Sequence, residues 1–130
     1  MSRETIGIVQ YMTDKGTWEN VPLYKEDNGL VKLVDLWIGG GDTYDYLLAY
    51  CYNLESSDAT ALSDTLGFYE DDEFNDVPNW KAVHLATIKY LANKGVVDMV
   101  KLSNKIETIT ELAGVYASLD QIRLVYYLDY

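Results

Sequence analysis

The polar and apolar positions change period near residue 40, and that change predicts the order of the elements. Residues 5–12, Thr-Ile-Gly-Ile-Val-Gln-Tyr-Met, mix β-branched and apolar side chains and precede the turn-forming run Thr13-Asp14-Lys15-Gly16. This predicts a strand followed by a turn. Residues 18–24 alternate imperfectly, and Pro22, with no N–H to donate, favours an edge position. Beyond Lys25-Glu26-Asp27-Asn28-Gly29, whose Asn-Gly pair suits positive φ, residues 30–38 form a third apolar run. A three-stranded antiparallel meander is the simplest arrangement of these segments.

Gly39-Gly40-Gly41 interrupts the strand pattern, and Asp42 is placed to cap the next helix by accepting from its first-turn amides. Over residues 42–54, Tyr44, Leu47, Leu48, Cys51 and Leu54 recur at helical spacing, which leaves Asp45, Tyr46 and Tyr50 on the opposite side. Residues 57–66 predict a short helix with Leu62 and Leu66 inward, closed by Gly67. Residues 69–79 are the most polar stretch and read as a loop. Asp76 or Asn79 then caps a helix with Pro78 in its first turn, which runs to Asn93 with Trp80, Val83, His84, Ile88 and Leu91 inward. Residues 96–105 are apolar enough for a helix or a strand, with helix preferred. Thr108 with Glu111 and Ser118 with Gln121 have capping-box spacing and predict two closing helices. In the last of these, Leu119, Ile122, Val125 and Tyr126 face the core, and Asp120, Arg123, Leu124, Tyr127 and Tyr130 face outward. The expected fold class is α+β. An N-terminal three-stranded antiparallel β-meander, residues 1–40, is followed by a segment of four to six helices, residues 41–130, in one domain.

Length and composition narrow the classes that remain. The chain has 130 residues, 48% of them hydrophobic, with three Trp, twelve Tyr and two Phe, so it has the apolar mass to bury a core. A single Cys forms no internal disulfide, and the N-terminus enters an alternating segment with no long apolar run, so a reducing cytosol is expected. No uncharged stretch approaches the roughly 18–20 residues of a membrane helix.

Charge is unevenly distributed along the chain. The net charge is −11. Residues 1–32 sum to −1 and residues 81–130 to +1, whereas residues 33–80 hold eleven acids and no Lys or Arg. Like charges gathered in one block repel one another, at a cost that mixed surface charge avoids. The plain account is a well-solvated acidic face. The functional account is an electronegative docking surface, which argues against direct contact with nucleic acid or an anionic membrane.

Familiar chemistries make geometric demands that this sequence does not meet. A calcium loop starting at Asp71 supplies Glu73 and Asn75, then Asp76 where Gly is needed and Ala82 where a bidentate Glu is needed. Zinc would need several thiolates or imidazoles, and the chain has one Cys and one His. The triple glycine is followed by Asp42 and Asp45, with no P-loop lysine. His84 is the only imidazole base, set among apolar neighbours, and Cys51 lies on an inward stripe. Asp71 and Asp72 are adjacent in sequence, which does not make them a catalytic pair. Residues 110–124 have helix-turn-helix spacing with Arg123 as their only base. A non-enzymatic protein without metal or cofactor is expected.

In its charge layout, size and lack of catalytic groups, the chain resembles the small acidic counter-defence proteins of phages and mobile elements, including anti-restriction and anti-CRISPR inhibitors. The resemblance covers the acidic block, residues 33–80, and rests on no motif. It implies an inhibitor that occupies the basic nucleic-acid-binding surface of a host nuclease or other DNA- or RNA-binding protein in the bacterial cytoplasm. The partner-binding candidates are Asp42, Asp45, Tyr46, Tyr50, Tyr69, Glu70, Asp71, Asp72, Glu73, Phe74 and Asp76, since aromatics beside carboxylates combine anchoring with long-range attraction. Two alternatives remain. One is an immunity protein that neutralises a basic toxin. The other is an oligomeric phage structural or assembly protein that self-associates, as a homodimer or larger, through Leu124, Tyr127 and Tyr130.

Overall fold

The computed structural model describes residues 3–21, 24–27, 30–33, 36–66 and 79–129. Thirteen elements follow in chain order. They are β1 (Glu4–Met12), β2 (Trp18–Asn20), β3 (Tyr24–Asp27), β4 (Leu30–Leu33), β5 (Leu36–Gly40), α1 (Gly41–Leu47), β6 (Tyr52–Asn53), α2 (Ser56–Leu66), β7 (Lys81–His84), α3 (Leu85–Asn93), α4 (Val97–Leu112), a 3₁₀ turn (Leu119–Gln121) and β8 (Ile122–Asp129). The chain is α+β, with a six-stranded antiparallel sheet and four α-helices among the described residues.

The expected order, a meander followed only by helices, is overturned by the C-terminal strand. β8 runs against the length of β1, from Glu4 opposite Asp129 to Tyr11 opposite Ile122. The other edge of β1 is shared, with β5 pairing its first half and β2 its second. On the far side of β8 lie β7 and then β6. The apolar run at residues 30–38 is divided between β4, which pairs β3 in a separate two-stranded ladder, and β5, which joins the main sheet.

β8 is a strand because both sides of the sheet are covered. Every residue from Ile122 to Tyr127 is buried. A run apolar on both faces satisfies helical spacing as readily as strand spacing, and its Ile, Val and Tyr side chains suit a pleated surface. Ile122, Leu124 and Tyr126 enter one core with Val9, Val83, Ile88, Leu91, Met99, Leu102 and Ile106, under α1, α3 and α4. Val125 and Tyr127 enter a second core with Ile8, Leu54, Leu62, Trp80 and Ala82, under α2. The same two-sided burial makes residues 81–84 the strand β7, where a helix through 79–93 was expected. The helix begins only at Leu85.

Other expectations are corrected by local geometry. The helix expected over residues 42–54 ends at Leu47, and Tyr52 and Asn53 pair with β7. Its N-cap is Gly40 rather than Asp42, which sits in the first turn. The glycines here serve close packing: a Cβ on Gly41 would lie 2.9 Å from the Arg3 side chain, and one on Gly39 would collide with Thr43. Gly7 is fixed in the same way, since a Cβ there would lie 2.9 Å from the Val125 carbonyl oxygen. Residues 96–105 are helical as preferred, within an α4 that extends to Leu112. Thr108 therefore starts no helix, and its hydroxyl donates to the Asn104 carbonyl one turn back at 2.9 Å. Ser118 and Gln121 do pair, the hydroxyl donating to Gln121 Oε1 at 2.8 Å, but they brace one 3₁₀ turn that feeds β8. Among the described residues no helix is long and apolar enough to cross a membrane.

Candidate functional site

Two surfaces hold the chemistry. The first is the outer side of α1 and its exit turn. Positions i, i+3 and i+4 share a helix face, so Asp42, Asp45 and Tyr46 project together, and all three are exposed. Tyr50 follows one turn later, also exposed, with its ring centroid 5.9 Å from that of Tyr46. Lys94, at the end of α3, lies over the exposed Tyr90 ring at 4.5 Å. Its pKa is raised, first by its hydrogen bond to Tyr90 and also by the nearby Tyr50 and Tyr46. The four sequence candidates in α1 and its exit turn are thus brought together, alongside a cation–π pair that sequence spacing did not reveal.

The acids differ in their commitments. Asp45 accepts both guanidinium ends of Arg3, at 3.1 and 3.3 Å, in an exposed bidentate pair. Asp42, Glu55 and Asp64 are exposed and, among the described residues, form no ion pair. Asp42 also lines a cavity of about 390 Å³ with Lys101 and Lys105. Tyr69, Glu70, Asp71, Asp72, Glu73, Phe74 and Asp76 lie outside the described residues, as does Tyr130.

The self-association face is corrected. Leu124 is 0% exposed and Tyr127 8%, because strand alternation in β8 sends them into the two cores on opposite sides of the sheet. Neither is available for contact with a second copy.

The second surface is a polar knot on the α2 side of the sheet that the sequence reading missed, having assigned Arg123 to a solvent-facing helix side. The register puts Gln10 opposite both Arg123 and Asn20, and His84 opposite Arg123. The Arg123 side chain is only 4% exposed. Its Nε donates to Gln10 Oε1 at 2.9 Å and its Nη1 to the Tyr52 hydroxyl at 3.2 Å. Gln10 Nε2 in turn donates to Asn20 Oδ1 at 2.9 Å. Trp18 covers the guanidinium, 4.2 Å from ring centroid to Cζ. Nη2 is buried without a hydrogen-bond partner; it forms an ion pair with Asp58, whose Oδ2 stands at 3.8 Å, beyond hydrogen-bond reach. The knot lines a cavity of about 360 Å³. The signal present in the sequence was a lone Arg inside an apolar β-branched and aromatic run, since such a residue is seldom buried unless partnered.

His84 packs against Tyr52 and Trp18, at centroid distances of 5.4 and 5.9 Å. Burial, and then the Arg123 charge, hold its pKa below the ordinary imidazole value, with Asp120 opposing. The ring is a neutral neighbour of the arginine. Cys51 is half-buried, and its thiol donates to the Leu48 carbonyl at 3.5 Å. No described group of three or more His, Cys, Asp or Glu residues is arranged to hold a metal. Comparison with protein-family models, curated proteins and solved structures yields no match.

Proposed function

We propose that this protein is a non-enzymatic acidic inhibitor, encoded by a phage or mobile element. It binds the basic nucleic-acid-binding surface of a host defence nuclease or another DNA- or RNA-binding protein in the bacterial cytosol. The reading is carried by one observation: all the net charge falls in residues 33–80, and the described part of that block exposes Asp42, Glu55 and Asp64, which form no ion pair among the described residues. A surface of this sign attracts the grooves that hold phosphate and speeds encounter with them. Tyr46 and Tyr50, exposed on and just beyond α1, supply the aromatic anchors on which interface energy concentrates.

The test separates charge from packing. Replacing Glu70, Asp71, Asp72 and Glu73 with Lys abolishes capture of the target while the fold is kept, as followed by circular dichroism. Tyr46→Ala with Tyr50→Ala weakens the complex by about 2 kcal/mol or more without changing its salt dependence. Full binding by the charge-reversal variant rejects the acidic surface as the docking site.

A further inference from the structure

The polar knot around Arg123 lies apart from the exposed side of α1, though Asp58 of the same acidic block borders it, and we infer that its cavity is a binding site for a small zwitterion of the α-amino acid class. The argument starts from the orphan group. A guanidinium N–H that is buried and has no acceptor is rare in a folded protein, and a ligand that supplies the acceptor accounts for it. Everything else about Arg123 is fixed: Gln10 and Tyr52 hold two of its nitrogens, and Trp18 covers its plane. Nη2 is the one nitrogen that donates to nothing. Asn20 adds a second donor, because its carbonyl oxygen is engaged by Gln10 while its amide N–H groups are uncommitted.

The same cavity carries a carboxylate, since Asp58 lines it with Arg123 and Asn20. A simple anion would be drawn by Arg123 and repelled by Asp58. A simple cation would meet the reverse. A molecule carrying both charges on one carbon satisfies the two sides together, its carboxylate accepting from Nη2 and its ammonium donating to Asp58. Nη2 and Asp58 Oδ2 form an ion pair at 3.8 Å, too long for a direct hydrogen bond, so each still has a hydrogen bond to make to the adjacent charges of one ligand. Ala61 and Leu62 of α2 give the side chain of such a ligand an apolar wall. About 360 Å³ lies at the small end of ligand pockets and suits a single amino acid.

The test is calorimetric titration of the full chain with each proteinogenic α-amino acid. The strongest binder is then repeated as its amide, which lacks the carboxylate, and as its N-acetyl derivative, which lacks the ammonium. At least one amino acid is expected to bind saturably, with each derivative weaker by about tenfold or more, as loss of a charge-assisted hydrogen bond implies. Asp58→Asn, at a half-exposed carboxylate, should weaken the parent ligand to a similar extent. Absence of saturable binding by every amino acid overturns the inference. So does acetate binding that Asp58→Asn tightens, which would mark a plain anion site.

Discussion

Tyr126 is fully buried, and its hydroxyl has no hydrogen-bond partner. Burial drives its pKa far above the ordinary phenol value, with the neighbouring Cys51 thiol next in effect; that thiol donates to the Leu48 carbonyl and makes no hydrogen bond to the phenol, so the group stays neutral and unpartnered. A buried polar atom that gives up water and gains no partner costs stability, while the edge-on contact with Tyr44, at 5.8 Å, does not need the oxygen. Tyr126→Phe is therefore expected to raise unfolding free energy by about 1 kcal/mol in urea denaturation. A loss of stability would mean that the hydroxyl is satisfied in solution. His84 makes the complementary prediction. Its pKa is lowered in the fold, so between that value and the ordinary value near 6.5 the unfolded chain binds more protons. Stability thus falls as pH drops through this window and is recovered above it. Relative to the parent, His84→Gln should flatten the pH dependence between about 7.5 and 5.5. Parallel curves would show that the imidazole titrates alike in both states.

Among the elements, β8 is where pattern and structure part. Leu124 sits between β1 and β7 with no exposed surface, so Leu124→Ala should cost about 2–5 kcal/mol, the range for emptying a buried site. An unchanged midpoint would instead support the exposed position that helical spacing had given it. The helix at 57–66 was legible because its apolar positions recur at helical spacing on one side. The strand 5–12 is buried on both faces, and was legible instead from its β-branched run and the turn-forming residues that follow it. Residues 81–84 and 122–127 were not, because they too are covered on both sides and no turn-forming run follows them. The two capping boxes misled for different reasons. Thr108 lies inside a helix already under way, and Ser118 caps the start of a single 3₁₀ turn before a strand. The α1 candidates were found together because i, i+3 and i+4 spacing survives in a helix of any length. The Arg123 knot was not, because it is assembled by the register of β1, β2, β7 and β8, which only long-range pairing fixes.

For the whole molecule, charge and polarity are divided between two places. If the acidic block acts by long-range attraction, salt screens it. Target capture through residues 33–80 should then weaken as ionic strength rises. The most direct measurement is affinity capture from nuclease-treated bacterial lysate at low and moderate salt, with bound proteins identified by mass spectrometry. The variant with Lys at Glu70, Asp71, Asp72 and Glu73 is run alongside. The account predicts a nucleic-acid-binding protein that the parent alone retains, that elutes as salt is raised and that added DNA or RNA displaces. Retention of the same protein by both forms, indifferent to salt and competitor, would contradict it.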